Sequence, residues 1–443
     1  MFSRSNHHRA TDSEILRLAF PAFLALVAEP LFLLADAAVI GHLGTPQLAG
    51  LGIAGAILQT AVGLCVFLAY GTTASVARRV GAGDLRAALA QGVDGLWLAL
   101  IIGAVTTVAG VLLTPTLVGA FGASGEVAGH ATTYLRIAFL GTVPLLLMLA
   151  ATGVLRGLQD TRTPLVAAVA GNLLNIVLNV TLVYGLGPAP ALGMAGAAVG
   201  SVVAQSLAAT YLLVVVARGA RRERAPLTPD LAGIRAAAHA AVALIIRTLT
   251  LRAALLVTTY AATHVGRDAD LATHQLAMTF WTFLAFVLDA IAIAAQAITG
   301  RFLGAGDISG TRRVTRRMVQ WGVVSGLVTG LGLAAVSPWL GYLFTSDEAV
   351  LSRLTTVLLV AALAQPVAGV VFVLDGVLIG AGDGGYLAWA GLVVLVVYVP
   401  LALLAGSLVW LWAAFAFGFM AARMAVLLLR ARGDAWLVTG GSR

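Results

Sequence analysis

The 443-residue chain contains no lysine, and only 10% of its residues are charged. It has a single cysteine, Cys65, so the sequence offers no pair for an intramolecular disulfide. A long polar stretch of the kind that forms a soluble domain is also missing, because 60% of the residues are hydrophobic. A soluble fold cannot bury that much apolar surface. The mean hydropathy of +0.98 therefore indicates a protein that lies within lipid.

Several classes of functional site are excluded by motifs that the chain lacks. The glycine-rich turns are not followed by Gly-Lys-Ser/Thr, so we expect neither a phosphate-binding loop nor ATP hydrolysis. The seven histidines are scattered without the spacing of metal ligands, and we expect no metal centre and no cofactor. No convergent nucleophile and base stands out, which leaves a polytopic membrane enzyme as the weaker alternative.

All of the basic side chains are arginines, and 27 of them against 19 acidic residues give a net charge of +8. The arginines are dispersed between apolar blocks and lack an aromatic-rich groove, so nucleic acid is not an expected partner. Anionic membrane lipid is the partner that this charge suits.

Long apolar runs predict an all-α polytopic membrane protein with twelve transmembrane helices. The predicted spans are 15–41, 47–78, 87–118, 131–156, 164–186, 192–217, 236–262, 271–301, 312–343, 350–380, 385–407 and 408–430. Arginines cluster before span 1, in the connections 2–3, 4–5, 6–7 and 8–9, and at the end of the chain, whereas the other connections hold few. By the positive-inside rule, both termini should be cytoplasmic in a multi-pass protein of the cell (inner) membrane.

Two distant motifs recur in the second half of the chain. Val-Gly-Ala-Gly-Asp at 80–84 returns as Leu-Gly-Ala-Gly-Asp at 303–307, and the Gly-Val-Leu motif at 153–160 returns at 376–383. Both copies lie 223 residues after their originals, which indicates an internal duplication. Six spans in each half is an even number, so the halves enter the membrane in the same sense, as in parallel-repeat transporters.

The duplication predicts a division of the chain into two lobes with polar segments around them. The expected parts are an N-terminal cytoplasmic tail (1–14), an N-lobe of spans 1–6 (15–217), a cytoplasmic linker (218–235), a C-lobe of spans 7–12 (236–430) and a C-terminal cytoplasmic tail (431–443).

The carboxylates of Asp36, Asp289 and Asp375 fall within apolar stretches of the predicted spans. A charged side chain at the centre of a membrane helix costs roughly 2.5 to 3.5 kcal/mol, so its retention indicates proton or cation binding. We predict all three as ion-coupling residues, with Na⁺ possible at Asp36 or Asp375. For Asp289 and Asp375 the open alternative is a buried ion pair, for which span 7 offers Arg247 and Arg252.

Span 1 carries further candidates upstream of Asp36. Pro21 and Pro30 each remove an intrahelical hydrogen bond, which predicts either a bendable first helix or packing alone. Glu29 lies seven residues before Asp36, nearly two helical turns, so both acids can face the same side. Glu29 is therefore a fourth candidate for ion coupling, and satisfying freed backbone groups is its alternative role.

Span 5 contains a polar stripe of three asparagines at helical spacing. Such a stripe lines a substrate cavity or hydrogen-bonds neighbouring helices. The predicted cavity-lining residues are Asn172, Asn175, Asn179, Gln275, Gln296 and Arg247. A separate group of acids sits beside glycine at turns, where a carboxylate commonly caps a helix or pairs with a loop arginine. This group is Asp84, Asp160, Asp307 and Asp383.

The order and spacing of these motifs resemble the multidrug and toxic compound extrusion (MATE) family, in particular its DinF-like branch. The resemblance rests on Asp36 shortly before Ile-Gly-His-Leu-Gly at 40–44, on the doubled Gly-Ala-Gly-Asp, and on Gln275 leading into Leu-Asp-Ala at 288–290. It implies a V-shaped two-lobe transporter that exports organic, cationic or amphipathic compounds by alternating access. Exchange for protons or sodium ions would drive this export, and we expect a monomer.

Two site residues follow from the same resemblance. Asp36 matches the family's ion-coupling aspartate in the first helix, and Pro21 matches the upstream proline at which that helix bends. Asn179 departs from the pattern, because some relatives have an aspartate there and an amide does not exchange a proton. Coupling schemes with two carboxylates in this lobe are therefore in doubt.

A flippase for a lipid-linked precursor, from the same wider superfamily, is the main alternative function. It would need an arginine-lined cavity able to hold pyrophosphate. Most arginines fall in predicted cytoplasmic loops, which disfavours it, but Arg247 and Arg252 keep it open.

Overall fold

In a computed structural model, which describes residues 2–123, 125–187, 190–265 and 268–441, every regular element is a helix. The α-helices are α1 Phe2–Gly41, α2 Thr45–Leu64, α3 Phe67–Gly81, α4 Leu85–Ala120, α5 Gly125–Leu140, α6 Thr142–Gly157, α7 Arg162–Tyr184, α8 Met194–Arg222, α9 Leu231–Val265, α10 Asp268–Gly304, α11 Ile308–Leu340, α12 Glu348–Gly380, α13 Gly384–Leu403, α14 Leu408–Ala413 and α15 Met420–Arg432. A 3₁₀ turn, Gly341–Leu343, follows α11, and a π-helical turn, Ala414–Phe419, joins α14 to α15.

The number of membrane-spanning helices in the structure agrees with the number predicted from the sequence. Within the described ranges, 11 helical segments are long and apolar enough to cross a membrane, and α5 with α6, bent by 48°, provides a twelfth. Aliphatic side chains in the middle of these helices remain exposed, for example Leu112 at 73% and Val396 at 73%, as expected for surfaces that face hydrocarbon. The predicted all-α, twelve-span membrane protein is confirmed.

Contacts divide the chain into two compact units. The N-unit is Leu24–Ala241, and the C-unit combines Met1–Phe23 with Val242–Arg443. The helix α1 is therefore shared, because its residues up to Phe23 belong to the C-unit. This division differs from the predicted lobe boundaries at 15 and 236.

Ion pairs explain why the start of α1 belongs to the C-unit. The Asp12 carboxylate accepts hydrogen bonds from Arg317 Nε and Nη2, both at 2.6 Å, and from Trp321 Nε1 at 2.8 Å. Glu14 forms an ion pair with Arg301 at 2.7 Å. The predicted N-terminal tail of residues 1–14 is accordingly helical from Phe2.

The predicted linker and C-terminal tail are partly helical and make contacts with the membrane-spanning helices. Helix α8 continues to Arg222 and α9 begins at Leu231, so only residues 223–230 connect them. This connection is held to α4, since Trp97 Nε1 donates to the Leu227 carbonyl at 3.1 Å. After α15, Trp436 is 1% exposed, and the Gly440 amide donates to the Leu303 carbonyl at 3.1 Å.

Glycines allow the helices of the C-unit to approach closely. A Cβ added to Gly369 on α12 would lie 2.0 Å from the Gly322 carbonyl oxygen on α11. A Cβ on Gly376 would lie 2.4 Å from the Ala292 carbonyl oxygen on α10. Small residues drive helix association in membranes because they bring backbones together. Gly376 follows Asp375 directly, so this packing fixes the position of that carboxylate.

The repeated Gly-Ala-Gly-Asp motif forms the same turn in both units. Its second glycine has a φ of 79° at Gly83 and 77° at Gly306, a conformation that favours glycine. The following aspartate caps the next helix: Asp84 Oδ1 accepts from the Ala87 amide at 2.8 Å, and Asp307 Oδ1 from the Gly310 amide at 2.7 Å. The hydrogen bond from the Gly310 amide holds the pKa of the Asp307 carboxyl below its usual range. The predicted capping role of these two acids is confirmed.

Candidate functional site

The first candidate site lies in the N-unit, where α1 and α7 meet. Asp36 on α1 is 3% exposed, and Asn175 and Asn179 on α7 are 2% and 0% exposed. Asn179 Nδ2 donates to Asp36 Oδ1 and also to Asn175 Oδ1, the latter at 2.9 Å. The structure therefore brings together the predicted coupling acid and two members of the asparagine stripe.

Two residues that sequence analysis did not single out extend this network. Asn175 Nδ2 lies 2.9 Å from the Ser201 hydroxyl of α8, and the Tyr134 hydroxyl of α5 is hydrogen-bonded to the same serine. The reversed orientation of the Asn175 amide satisfies both of its ends, with its nitrogen 3.2 Å from Asp36 Oδ1 and its oxygen accepting from Ser201. Ser201 and Tyr134 carry no motif, so only the helix packing reveals them.

The second feature of this site is its charge. All described hydrogen-bond partners of Asp36 are neutral amides, and no arginine is among them. Asn179 Oδ1 is buried without a partner among the described groups, and it points toward Gly200 on α8. A Cβ on Gly200 would lie 2.3 Å from that oxygen, so glycine is needed there to leave room for the amide.

The other predicted residues of this unit lie nearer the middle of α1. Asn172 Nδ2 donates to the Ala28 carbonyl of α1 at 2.8 Å, which ties α7 to the helix at Pro30. Helix α1 is continuous through Pro21 and Pro30, so a bend at either proline stays a prediction. Glu29 is exposed, unlike Asp36, and has no described hydrogen bond or ion pair in the part of the chain that the structure covers.

The C-unit contains a different arrangement around Asp375. Arg247 of α9 donates through Nε to Asp375 Oδ1 at 3.2 Å and through Nη2 to Oδ2. Arg423 of α15 brings Nη2 to 3.5 Å from Asp375 Oδ1. Asp375 is thus held by two buried guanidinium groups. The sequence left two roles open for Asp375, ion coupling and a buried ion pair. The structure shows the buried ion pair.

Arg423 is the residue of this cluster that sequence analysis did not single out. It lies inside α15, within predicted span 12, and its side chain is 11% exposed. Its position seven residues before Arg430, still within an apolar run, is the signal that could have identified it. Arg252, the other proposed partner, is exposed and is not among the described contacts of Asp375.

The remaining predicted residues of the C-unit are spread along α10. Asp289 is half-buried and Gln275 is exposed. Gln296 is 2% exposed, and its carbonyl oxygen lies where a Cβ on Gly380 would meet it at 2.4 Å. The backbone of Gln296 therefore packs closely against α12, and a cavity-lining role for its side chain stays a prediction. Two turn acids behave as expected, because Asp160 accepts from the Thr163 amide at 3.0 Å and Asp383 binds Arg430 Nε at 2.7 Å.

The repeat and the placement of the intramembrane acids can be compared with known families. The MatE family model matches residues 21–181 and residues 243–404, one segment in each half of the chain. The chain belongs to the MatE family. Membership in this family was predicted from the motifs around Asp36 and the doubled Gly-Ala-Gly-Asp, and it is confirmed.

MatE relatives cover most of the chain. Protein DETOXIFICATION 44, chloroplastic, of Arabidopsis thaliana is 33% identical over 400 residues, which cover 86% of this chain and 74% of the relative. DNA damage-inducible protein F of Escherichia coli (strain K12) is 30% identical over 380 residues, covering 84% and 81%. Among solved structures, the Vibrio cholerae MATE transporter VcmN in the bent form matches with a TM-score of 0.87 over 96% of this chain and 97% of that chain, at 22% identity. That likeness concerns the fold.

Proposed function

We propose that this MatE protein exports organic, cationic or amphipathic compounds in exchange for protons, and that Asp36 is the group that binds the proton. The observation that carries the proposal is a buried carboxylate whose described partners are all neutral. Acids in membrane helices commonly serve proton relays, because their charge is costly there and a proton removes it.

A proton suits this site better than a sodium ion. Transporters commonly coordinate Na⁺ with backbone carbonyls from unwound helices. Around Asp36, by contrast, α1 and α7 are both continuous helices, so their carbonyls are engaged in helical hydrogen bonds. The nearest donors to the carboxylate are amide N–H groups, which compete with a cation for the same oxygen.

The asparagine pair supplies hydrogen bonds to both protonation states of Asp36. An amide presents two N–H donors to the carboxylate, and after reversal it presents an oxygen that accepts from a carboxylic acid. Asn179 Oδ1, which is buried without a described partner, is the natural acceptor after such a reversal. Proton uptake would therefore be accompanied by turning of the amides, with Ser201 stabilising either orientation of Asn175.

Asp289 and Glu29 belong to the proposal as secondary titrating groups. Coupling with more than one proton requires a second carboxylate, and Asn179 cannot serve as one. Asp289 comes first because it lies within the membrane-spanning part of α10, and Glu29 second. Alternating access would let each carboxylate exchange its proton with one side of the membrane at a time.

The test is substrate flux in proteoliposomes with pH and sodium gradients imposed separately. A fluorescent organic cation serves as the probe. We expect efflux with the pH gradient alone, none with the sodium gradient alone, and none with either gradient for Asp36→Asn. Arg353→Gln, which removes a peripheral ion pair with Asp270, is the matched control and should transport normally. Gradient-driven efflux by Asp36→Asn at the wild-type rate would remove Asp36 from the mechanism.

We further propose that the protein works as a monomer in the cell membrane with both termini cytoplasmic. The arginine-rich connections support this orientation. After replacement of Cys65, a cysteine in residues 223–230 should react with an impermeant thiol reagent only from the cytoplasmic side. Reaction from the outside would reverse the orientation.

The flippase alternative gains little from the arginines of the C-unit. Arg247 and Arg423 are both engaged by the Asp375 carboxylate, which does not favour the binding of a pyrophosphate group there. Arg252 is exposed and adds nothing to that cluster. Gradient-dependent translocation of a lipid-linked precursor in a flux assay would support the flippase function.

A further inference from the structure

Helix α8 ends in a group of exposed arginines, which we call the α8 basic end. Its members lie in the last turns of the helix and just after it: Arg218, Arg221, Arg222 and Arg224. None of these four side chains has a hydrogen bond or ion pair within the part of the chain that the structure describes. Glu223, the one acid of the segment, is exposed as well. The α8 basic end therefore presents more positive than negative charge.

The start of α11 shows that arginines at a helix end are not always left unpaired in this protein. That segment also carries four of them: Arg312, Arg313, Arg316 and Arg317. Three form ion pairs with acids: Arg312 with Asp434, Arg313 with Asp307, and Arg317 with Asp12. The start of α11 is thus largely neutralised by the protein itself, whereas the α8 basic end is not.

Packing holds the α8 basic end in a fixed position. Ala220 and Ala225 are buried in a cluster with Leu89 and Val93 of α4, and the Ala225 amide donates to the Ala220 carbonyl at 2.8 Å. Arg224 between them has a φ of 54°, a conformation in which helices usually end with glycine. An arginine thus stands where glycine would suit the backbone better, and such strain is typical of functional positions.

An exposed apolar stripe leads along α8 to these arginines. It consists of large side chains three or four residues apart: Val203, Leu207, Tyr211 and Val214. Arg218 continues the same spacing, so it lies on the same face of the helix. At 1.5 Å per residue, Leu207 lies about 16 Å before Arg218, and the hydrocarbon of one leaflet is about 15 Å thick. The arginines therefore stand where the headgroups of that leaflet begin.

We infer that the α8 basic end and the apolar stripe together bind one anionic phospholipid, with its phosphate among the arginines and its acyl chains along the stripe. Guanidinium groups bind phosphate through paired N–H donors, and arginine clusters beside a membrane helix attract anionic headgroups. The stripe favours a lipid over a free phosphate ion, because a soluble ion has no apolar part to place there. This inference concerns binding and is independent of the proposed efflux function.

The first test counts bound lipid by native mass spectrometry of the purified full-length protein in detergent micelles. The probes are dioleoyl phosphatidylglycerol, which is anionic, and dioleoyl phosphatidylcholine, which has no net charge. We expect the wild type to bind one phosphatidylglycerol in preference to phosphatidylcholine, and inorganic phosphate at constant ionic strength should not displace it. In Arg221→Gln/Arg222→Gln the affinity for phosphatidylglycerol should fall about 10-fold or more, since two charged contacts with the phosphate are lost.

The matched control is Arg312→Gln/Arg313→Gln at the start of α11. It also removes two adjacent arginines, but these are already engaged by Asp434 and Asp307. Its affinity for phosphatidylglycerol should differ from that of the wild type by less than about twofold. Equal losses in the two double variants would show that total charge, and not the α8 basic end, determines lipid binding.

Arg224→Gly separates lipid binding from folding. Glycine adopts a positive φ without strain, so the thermal unfolding midpoint in micelles without added lipid should not fall. The affinity for phosphatidylglycerol should nevertheless fall several-fold, because one guanidinium group is lost. Unchanged affinity in this variant would remove Arg224 from the binding surface.

The second test locates the acyl chains. The photoreactive residue p-benzoylphenylalanine replaces Tyr211 on α8 or, as a control, the exposed Val324 on α11. In nanodiscs with a minor fraction of phosphatidylglycerol in phosphatidylcholine, the probe at position 211 should crosslink phosphatidylglycerol beyond its share of the lipid. The probe at 324 should crosslink both lipids in proportion, and Arg221→Gln/Arg222→Gln should abolish the excess at 211. The inference is overturned if wild type binds the two lipids equally, if inorganic phosphate displaces the lipid, or if no excess appears at position 211.

Discussion

Asp36 in the N-unit and Asp375 in the C-unit are both buried carboxylates on membrane-spanning helices, yet the hydrogen-bond partners of Asp36 are neutral and those of Asp375 are positively charged. Asp36 is bonded to neutral amides, so its site is negative when the acid is ionised and neutral when it is protonated. Asp375 is bonded to two guanidinium groups, those of Arg247 and Arg423. A carboxylate without a cationic partner is free to exchange a proton, whereas one fixed in an ion pair serves to position arginines.

The duplication sharpens this contrast. At the offset of 223 residues that relates the two halves, Thr259 takes the place of Asp36 and Tyr398 that of Asn175. In the C-unit, Thr259 Oγ1 lies 3.3 Å from His274 Nε2, and the Tyr398 hydroxyl lies 2.5 Å from Thr258 Oγ1. The positions that correspond to Asp36 and Asn175 therefore hold hydroxyl side chains in the C-unit. No carboxylate occupies the position that corresponds to Asp36.

The largest expected effect is on transport. Asp36→Asn and Asp289→Asn should each reduce ion-driven efflux to near background, and the double variant should be scarcely worse, because both acids act in one transport cycle. Flux in proteoliposomes with an imposed pH gradient measures all three. Near-normal flux for Asp289→Asn, or losses that multiply in the double variant, would confine coupling to the N-unit.

The next largest effect is a loss of folding stability when the buried ion pair of the C-unit is broken. Arg247→Met leaves Asp375 with a single one-sided ion pair and should lower the free energy of unfolding by about 3 to 5 kcal/mol, the usual cost of breaking a buried pair. Denaturant titration in mixed micelles checks this. Arg353→Met, at an ion pair with side chains 34% and 15% exposed, should cost no more than about 1 kcal/mol.

Asp36→Asn should not destabilise the protein in the same assay, since it removes a charge that has no cationic partner. Equal destabilisation of Asp36→Asn and Arg247→Met would show that the two carboxylates do not differ as the structure indicates.

A smaller effect is expected at Gly200 in the N-unit. An alanine there would place its Cβ 2.3 Å from Asn179 Oδ1, so the amide must shift away from Asp36, at a cost of about 1 to 3 kcal/mol and with weaker efflux. Gly219→Ala on the same helix is the control, because its Cβ would meet Leu89 Cδ2 at an ordinary 3.7 Å. If both alanine variants transport and unfold alike, the position of Asn179 is not critical.

The smallest expected effect is the loss of a helix cap, and it should be equal in the two units. Asp84→Ala and Asp307→Ala each remove a side-chain cap and should cost about 1 kcal/mol in denaturant titrations. Because the folded state lowers the pKa of Asp307, its contribution is present above the unfolded pKa of about 3.9 and disappears as pH falls through the lower folded value. A stability difference that persists in strong acid would contradict the cap.

Much of the N-unit site could be read from the sequence. Asp36 stands out because a charge in an apolar run is costly, and Asn175 and Asn179 stand out because their spacing places them on one face of a helix. Ser201 and Tyr134 carry no such signal, since a serine and a tyrosine in a membrane helix are ordinary residues. Their role depends on where α5 and α8 lie relative to α7.

The sequence by itself determined the twelve spans, the duplication, the family and the identity of the intramembrane acids, because hydropathy, helical period and motif spacing are local properties of the chain. Only the tertiary structure decided that Asp36 meets amides while Asp375 meets Arg247 and Arg423. These partners come from helices far apart in sequence, 128 residues for Arg247 and Asp375. Which faces of those helices touch depends on close packing at glycines such as Gly376 and Gly200, and such packing forms only in three dimensions.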